Sequence, residues 1–126
     1  MVEAEVGECI SNVSFRAFYE CTGLTAVTLS NHGSVGNEAF LRCRSLRRVV
    51  IGSGVSSMGA NAFNSCTVLE SVTVDIAVPF LIGRGDASPF NATNDTFQIY
   101  VPAESVNAYK AASGWSAYAS RIQAIP

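Results

Sequence analysis

Few residue types in this sequence could do chemistry, and the most regularly spaced of them are three cysteines. Cys21, Cys43 and Cys66 follow one another at intervals of 22 and 23 residues. If successive turns of the chain stack, these thiols form a column at the strand spacing of about 5 Å, which a disulfide tolerates. Three equivalent thiols cannot all pair, and side-by-side thiols do not converge on a metal as four tetrahedral ligands must. We therefore expect buried, reduced cysteines, no metal and no cofactor, with Cys9 as the more exposed thiol.

A single histidine, His32, limits the nucleophilic and acid-base chemistry that the chain can carry. It would have to serve every Ser/His/Asp or Cys/His arrangement, and no G-x-S-x-G motif occurs. Alignment with a later repeat places His32 at the position of Val55, which predicts a half-buried ring hydrogen-bonded to nearby backbone. Paired acids for glycoside hydrolysis stay open, although Glu3, Glu5 and Glu8 lie in a partial turn. These residues favour a protein that is not an enzyme.

Composition and charge narrow the class of partner. The 126 residues suit one domain, and 48% of them are apolar while 14% are charged. The net charge of -2 argues against nucleic-acid binding, which needs a basic face. The longest apolar run, 76–82, is too short to span a bilayer and contains Pro79. We therefore expect no nucleic-acid partner and no membrane insertion.

The elements that position these residues come from an apolar spacing that recurs along the chain. Phe18, Phe40 and Phe63 lie 22 and 23 residues apart, and each opens the same pattern of apolar offsets. A period in the low twenties is typical of a solenoid whose turns stack. We predict a right-handed solenoid with a parallel sheet, whose strands span residues 3–6, 26–29, 48–51, 71–74 and 98–101, the last closing the sheet. Gly36 and Gly59 suit tight turns between strand and corner.

The spacing changes after residue 76. A Pro- and Gly-rich insertion over 77–89 is typical of a capping turn or a working loop. Two short helices are then predicted, one from Pro102 to Gly114 and one whose apolar face carries Trp115, Tyr118, Ile122 and Ile125. We expect residues 102–126 to cap the solenoid of residues 1–101 within one domain, with a polar outer face formed by Asn107, Lys110, Ser120 and Arg121.

The pattern A-F-x-x-C-x-x-L-x-x-V-x-I, with Gly36 and Gly59 three residues before the Ala of their turns, resembles the BspA-like leucine-rich repeat family. The resemblance covers about residues 1–101, although Thr93 stands where a cysteine is expected. The ending around Tyr109 and Trp115 looks like the closing unit of members from gut Bacteroidales. The resemblance implies a leucine-rich repeat solenoid in an exported or surface-attached bacterial protein that adheres to host or matrix proteins or to other cells.

The start of the sequence bears on where the protein works. Residues 1–5 lack the basic start and apolar centre of a secretory signal, which on its own favours the cytoplasm. Val6 precedes Phe18 by 12 residues, as Ile51 precedes Phe63, so the chain opens in the middle of a repeat. We favour the tail of a longer exported chain, at the cell surface or secreted.

Strand parity predicts which side chains face a partner. If Val49 and Ile51 point inward, alternate residues of every strand point outward. The outward residues are Thr28, Arg48, Val50, Ser71, Thr73, Gln98 and Tyr100. We predict that they bind a protein ligand, with Arg48 and Tyr100 as anchors because Arg and Tyr are enriched at interface hot spots. A structural spacer or capping tail is the alternative.

Two other charged features carry weaker predictions. Arg42, Arg44, Arg47 and Arg48 fall within seven residues, and such a run is usually a solvated face. Arg84-Gly85-Asp86, in the insertion, spells the tripeptide that integrins read. An ordinary loop is the simpler interpretation of this match, and integrin-type adhesion is the alternative.

Overall fold

The computed structural model describes residues 2–7, 12–30 and 32–126, and within them the chain winds as a solenoid of short parallel strands. The larger sheet has six strands in the order β1-β2-β4-β6-β7-β8 and the smaller has two, β3-β5. Their bounds are β1 Val2–Val6, β2 Leu24–Leu29, β3 Gly33–Val35, β4 Arg48–Ile51, β5 Val55–Met58, β6 Ser71–Val74, β7 Gln98–Val101 and β8 Ile122–Ala124. Alternate residues of β4, β6 and β7 are buried, as the sequence pattern predicts.

The core is organised around the phenylalanine stack, formed by Phe18, Phe40, Phe63 and Phe90. Neighbouring ring centres lie 4.9, 5.0 and 5.8 Å apart, and successive ring planes are within 2°, 5° and 12° of parallel. Phe40 and Phe63 are fully buried, whereas Phe18 at the first turn is half-buried. Equivalent side chains of successive turns therefore lie directly over one another, which confirms the predicted repeat solenoid.

Each corner that carries a stacked ring has an unusual backbone. In the first three corners, the residues two positions before and two positions after the stacked Phe have positive φ. In the fourth corner only the residue two positions after Phe90 does, among the described residues. These residues are Arg16, Glu20, Glu38, Arg42, Asn61, Ser65 and Ala92. A non-glycine residue in this region costs about 1–2 kcal/mol. Hydrogen bonds between turns offset that cost, since the Phe18, Phe40 and Phe63 N–H groups donate to carbonyls of the next turn at 2.7–2.8 Å.

Gly36 and Gly59 are required by close packing of the backbone. A Cβ at Gly36 would lie 2.7 Å from the Val13 carbonyl oxygen, and one at Gly59 would overlap the Asn37 backbone. Neither glycine has a positive φ. The predicted tight-turn role is therefore wrong in its reason, because each glycine lets the backbone of the preceding turn approach.

The C-terminal region differs from the prediction. Short 3₁₀ segments at Ala103–Ser105 and Trp115–Arg121 flank the α-helix α1, Val106–Ala111. The second predicted helix ends at Arg121, and β8 follows it and pairs in parallel with β7. Strand β7 therefore does not close the sheet, because β8 takes up the hydrogen-bonding groups at its edge. Arg121 is half-buried, since its guanidinium lies 4.8 Å from the Phe97 ring centre, whereas Ile125, predicted on the apolar face, is 37% exposed.

Three side-chain hydrogen bonds join the C-terminal region to backbone carbonyls in the insertion or directly before it. The Tyr109 hydroxyl donates to Ile76 at 2.7 Å, the Trp115 indole to Phe80 at 2.7 Å, and the Ser105 hydroxyl to Ala77 at 2.6 Å. Tyr109 and Trp115 are fully buried. The first part of the insertion is therefore held against the C-terminal region. Within the described ranges no helix has both the length and the apolar character needed to cross a bilayer.

The buried Tyr109 should make the folded protein less stable at alkaline pH. Burial raises the pKa of Tyr109 to about 12, whereas an unfolded tyrosine titrates near pH 10. Between these values the folded state binds the proton and the unfolded state does not, so the free energy of unfolding falls as pH rises. We expect wild type to lose about 1 kcal/mol more than Tyr109→Phe between pH 9 and pH 11, measured by urea unfolding. Equal losses in the two proteins would contradict this assignment.

Candidate protein-binding surface

The outer face of the six-stranded sheet carries two straight rows of side chains. The strand register places residues of the first row opposite one another across five strands, and those of the second across six. The first, called the Arg48 row, contains Glu3, Ala26, Arg48, Ser71 and Gln98. The second, called the Tyr100 row, contains Glu5, Thr28, Val50, Thr73, Tyr100 and Gln123. Together they form the outer sheet face, about 24 Å long at the usual strand spacing.

The outward residues predicted from strand parity all lie on this face. Arg48 is exposed and Val50 is 37% exposed. The other five predicted residues, Thr28, Ser71, Thr73, Gln98 and Tyr100, are half-buried by their neighbours. The sequence interpretation did not include Glu3, Glu5 and Gln123. Extending the same parity to β1 would have found the two glutamates, but Gln123 lies in a segment that was predicted to be helical.

The middle of the face carries one cation, Arg48. Arg48 forms no ion pair with any residue that the structure describes, and its neighbours Ala26 and Ser71 in the row are small. The arginine run does not act as one group, because Arg47 pairs with Glu70 at 3.0 Å and Arg42 with Glu20 at 3.8 Å. Those two pairs belong to the solvated surface, whereas Arg48 stands on the outer sheet face.

The far end of the face is polar but uncharged. The Gln123 amide donates to the Gln98 side-chain oxygen at 2.6 Å, and the Gln98 amide donates to the Thr96 carbonyl at 3.0 Å. These bonds hold the two glutamines in place beside Tyr100. The outer sheet face thus has two acids at β1, a cation at β4, and an aromatic ring with two amides at β7 and β8.

The cysteine column is part of the core. Cys43 and Cys66 are buried, and their thiols donate to the carbonyls of Phe18 and Phe40 in the preceding turns at 3.1 and 3.3 Å. The Cys43 thiol and burial together raise the pKa of Cys66, and burial raises the pKa of Cys21. All three cysteines are free. Cys43 and Cys66 therefore fill space and link turns, whereas Cys21 in the first turn is half-buried, and Cys9 lies outside the described residues.

The prediction for His32 is wrong. His32 is exposed, and Gly33 rather than His32 lies opposite Val55, because the extra residue of the longer turn is accommodated at Ser56 of β5, where the register with β3 shifts. His32 lines a cavity of about 200 Å³ with Ser30, Ser53 and Asp75. No hydrogen bond joins these four side chains to one another in the described part of the chain. The cavity therefore brings the residue types of a catalytic triad together without the contacts that activate a nucleophile.

The remaining chemical candidates are solvent-exposed or fall outside the described residues. Glu3 and Glu5 are exposed on β1, unlike a glycosidase acid held in an apolar pocket, and Glu8 is not among the described residues. Among the residues that are described, no three metal-ligating side chains come together.

The Arg84-Gly85-Asp86 tripeptide lies on the insertion, away from the outer sheet face. Its three residues are exposed, and Gly85 begins a 3₁₀ turn, Gly85–Ala87. Asn91 donates to the Gly85 carbonyl at 2.9 Å and Asn61 to the Asp86 carbonyl at 3.2 Å. The backbone of the tripeptide is therefore held against the solenoid while its charged side chains face solvent.

Comparison with known proteins agrees with this geometry. A family model described as BspA type leucine rich repeat region matches residues 2–81 in six copies, which is more than half of the chain. A search of curated proteins finds no match. Leucine-rich repeats generally mediate protein–protein interactions and are typically non-catalytic. The six matched copies and the stacked parallel turns together establish that the chain belongs to the BspA-type leucine-rich repeat family.

Proposed function

We propose that the outer sheet face binds a protein ligand and that the protein works as a non-catalytic adhesion module. The observation that carries the proposal is Arg48, which forms no ion pair with a described residue and lies at the centre of a continuous face between the small side chains of Ala26 and Ser71. An exposed arginine on a floor of small residues can form two parallel hydrogen bonds to a carboxylate. Tyr100, two strands away, offers apolar area together with a hydroxyl group.

We further propose that the module is displayed at the surface of a bacterial cell, such as a gut bacterium, or secreted, as part of a longer exported chain. BspA-type repeats often occur in surface or secreted proteins, which supports this location. The partner would then be a host or matrix protein or a protein of another cell. The right-handed winding predicted above belongs to the same proposal, because parallel crossover connections are right-handed in about 98% of cases.

We also propose that residues 102–126 cap the solenoid of residues 1–101 within the same domain. The buried Tyr109 and Trp115 and the pairing of β8 with β7 support this division.

The proposal predicts that changes at the two anchors weaken binding together. A panel of immobilised matrix and host proteins would first identify a ligand by surface plasmon resonance. We then expect Arg48→Glu combined with Tyr100→Ala to lower the affinity at least about tenfold, because truncating one anchor residue of an interface costs more than about 1 kcal/mol. Arg44→Glu is the matched control, since Arg44 is exposed and unpaired within the described residues but lies off the face.

Two results separate the proposal from its alternative. Unchanged affinity in the double variant, with folding intact by circular dichroism, would exclude the outer sheet face as the site. The protein would then be better described as a structural spacer or capping tail that holds another region away from a surface. A loss equal to that of Arg44→Glu would indicate a general charge effect and would also contradict the proposal.

Integrin-type adhesion through Arg84-Gly85-Asp86 is the second candidate function, favoured by the exposure of both charged side chains. Asp86→Glu keeps the charge but lengthens the side chain by one methylene, so a geometry-dependent site would lose binding. We expect attachment of integrin-bearing cells to the immobilised protein to fall several-fold if the loop is used. Attachment that is unchanged by Asp86→Glu would eliminate this function.

A further inference from the structure

The charges on the outer sheet face are separated by sign along its length. Glu3 and Glu5 lie on β1, and Arg48 lies two strands away on β4 in the same row as Glu3. Two strand spacings place the backbone positions of Glu3 and Arg48 about 10 Å apart. None of the three forms an ion pair with a residue that the structure describes. All three are exposed, so their charges are available to a partner.

Short side chains line the surface between these charges. Ala26 and Thr28 on β2 separate the glutamates from Arg48, and both side chains are short. A separation of about 10 Å is also close to one Debye length at physiological salt, so the opposite charges neutralise each other only weakly. The face therefore offers two separate electrostatic positions joined by a shallow surface.

We propose that the partner of this face is a polypeptide segment that places an acidic side chain on Arg48 and a basic side chain about 10 Å away on Glu3 and Glu5. This inference rests on the proposed function and specifies its ligand. The glutamate pair repels polyanions, so a segment carrying both signs fits the face better than a nucleic acid or an anionic lipid surface. The carboxylate suits Arg48 because a guanidinium binds it through two parallel hydrogen bonds. The rest of the segment crosses towards the uncharged Tyr100 end.

Polyproline peptides serve as rulers for this spacing. In a polyproline II helix, residues i and i+3 face the same side and lie about 9 Å apart, whereas i and i+6 share that side at about 19 Å. The probe peptide carries Lys and Asp at i and i+3 in a proline host with acetylated and amidated ends. Its matched control carries the same two residues at i and i+6. Two further peptides carry Lys at both positions or Asp at both.

The measurement is a titration of the isotope-labelled protein followed by amide chemical shifts at low ionic strength. We expect the i,i+3 ruler to bind at least threefold more tightly than the i,i+6 ruler and than either single-sign peptide. The shifts should cluster on β1, β2 and β4. Arg48→Gln, and Glu3→Gln with Glu5→Gln, should each abolish the advantage of the shorter ruler, whereas Arg44→Gln should leave it unchanged.

The outcomes distinguish this inference from the function on which it rests. If Arg48→Gln weakens binding but both rulers bind alike, the outer sheet face is a binding surface and the charge-spacing inference is wrong. Tighter binding of the Asp-only peptide would also overturn the inference, because it would make Arg48 an anion site alone. Shifts confined to residues away from the face would contradict both the inference and the proposed function.

Discussion

The phenylalanine stack is the constraint on which the rest of this structure depends. From Phe18 to Phe63 the ring centres lie 4.9 and 5.0 Å apart, which matches the spacing that adjacent strands require in a sheet. Because the distance between ring centres matches the distance between strands, the corners and the strands of successive turns stay in register. That agreement is also what aligns Arg48, Val50 and their equivalents into straight rows. The arrangement of the outer sheet face is therefore a consequence of how the core packs.

Stacking of this kind makes each turn depend on its neighbours. The left-handed residues of the corners are unfavourable locally, and they persist because their turns exchange backbone hydrogen bonds across the stack. The thiols of Cys43 and Cys66 also link neighbouring turns, since each donates a hydrogen bond to a carbonyl of the turn before it. Beyond the Phe90 corner, Trp115 and Tyr109 are buried against the core, and they donate hydrogen bonds to the carbonyls of Phe80 in the insertion and of Ile76 directly before it.

Much of the fold could be predicted because its apolar periodicity is strong. Alternation over β4, β6 and β7 gave their bounds without error, and the repeated Phe offset predicted the stack. Other elements lack such a pattern. The strands β3 and β5 are three and four residues long and rich in serine or glycine, so only pairing between turns reveals them. Strand β8 was predicted as helix because Trp115, Tyr118 and Ile122 share helical spacing, and the edge of β7 overrides that preference.

The outer sheet face could also be predicted only in part. Parity within each strand predicts which side chains point outward, but register between strands decides which of them are neighbours. Only the register shows that Glu3 shares a row with Arg48 and that Gln123 extends the Tyr100 row. The position of His32 could not be predicted, because its turn is one residue shorter than the next and the sequence alone does not show where the missing residue falls. Ion pairing of the arginine run likewise depends on residues 22 or 23 positions away.

The central claim, that successive turns stack around aligned rings, is tested most directly by the free energy of unfolding of three Phe→Ala variants in urea. Phe40 is fully buried between two rings, Phe18 is half-buried at the end of the stack, and Phe15 is 62% exposed outside it. Phe40→Ala should cost about 3–5 kcal/mol, Phe18→Ala clearly less, and Phe15→Ala within about 0.5 kcal/mol of zero. Equal losses at Phe40 and Phe15 would contradict the stacked solenoid.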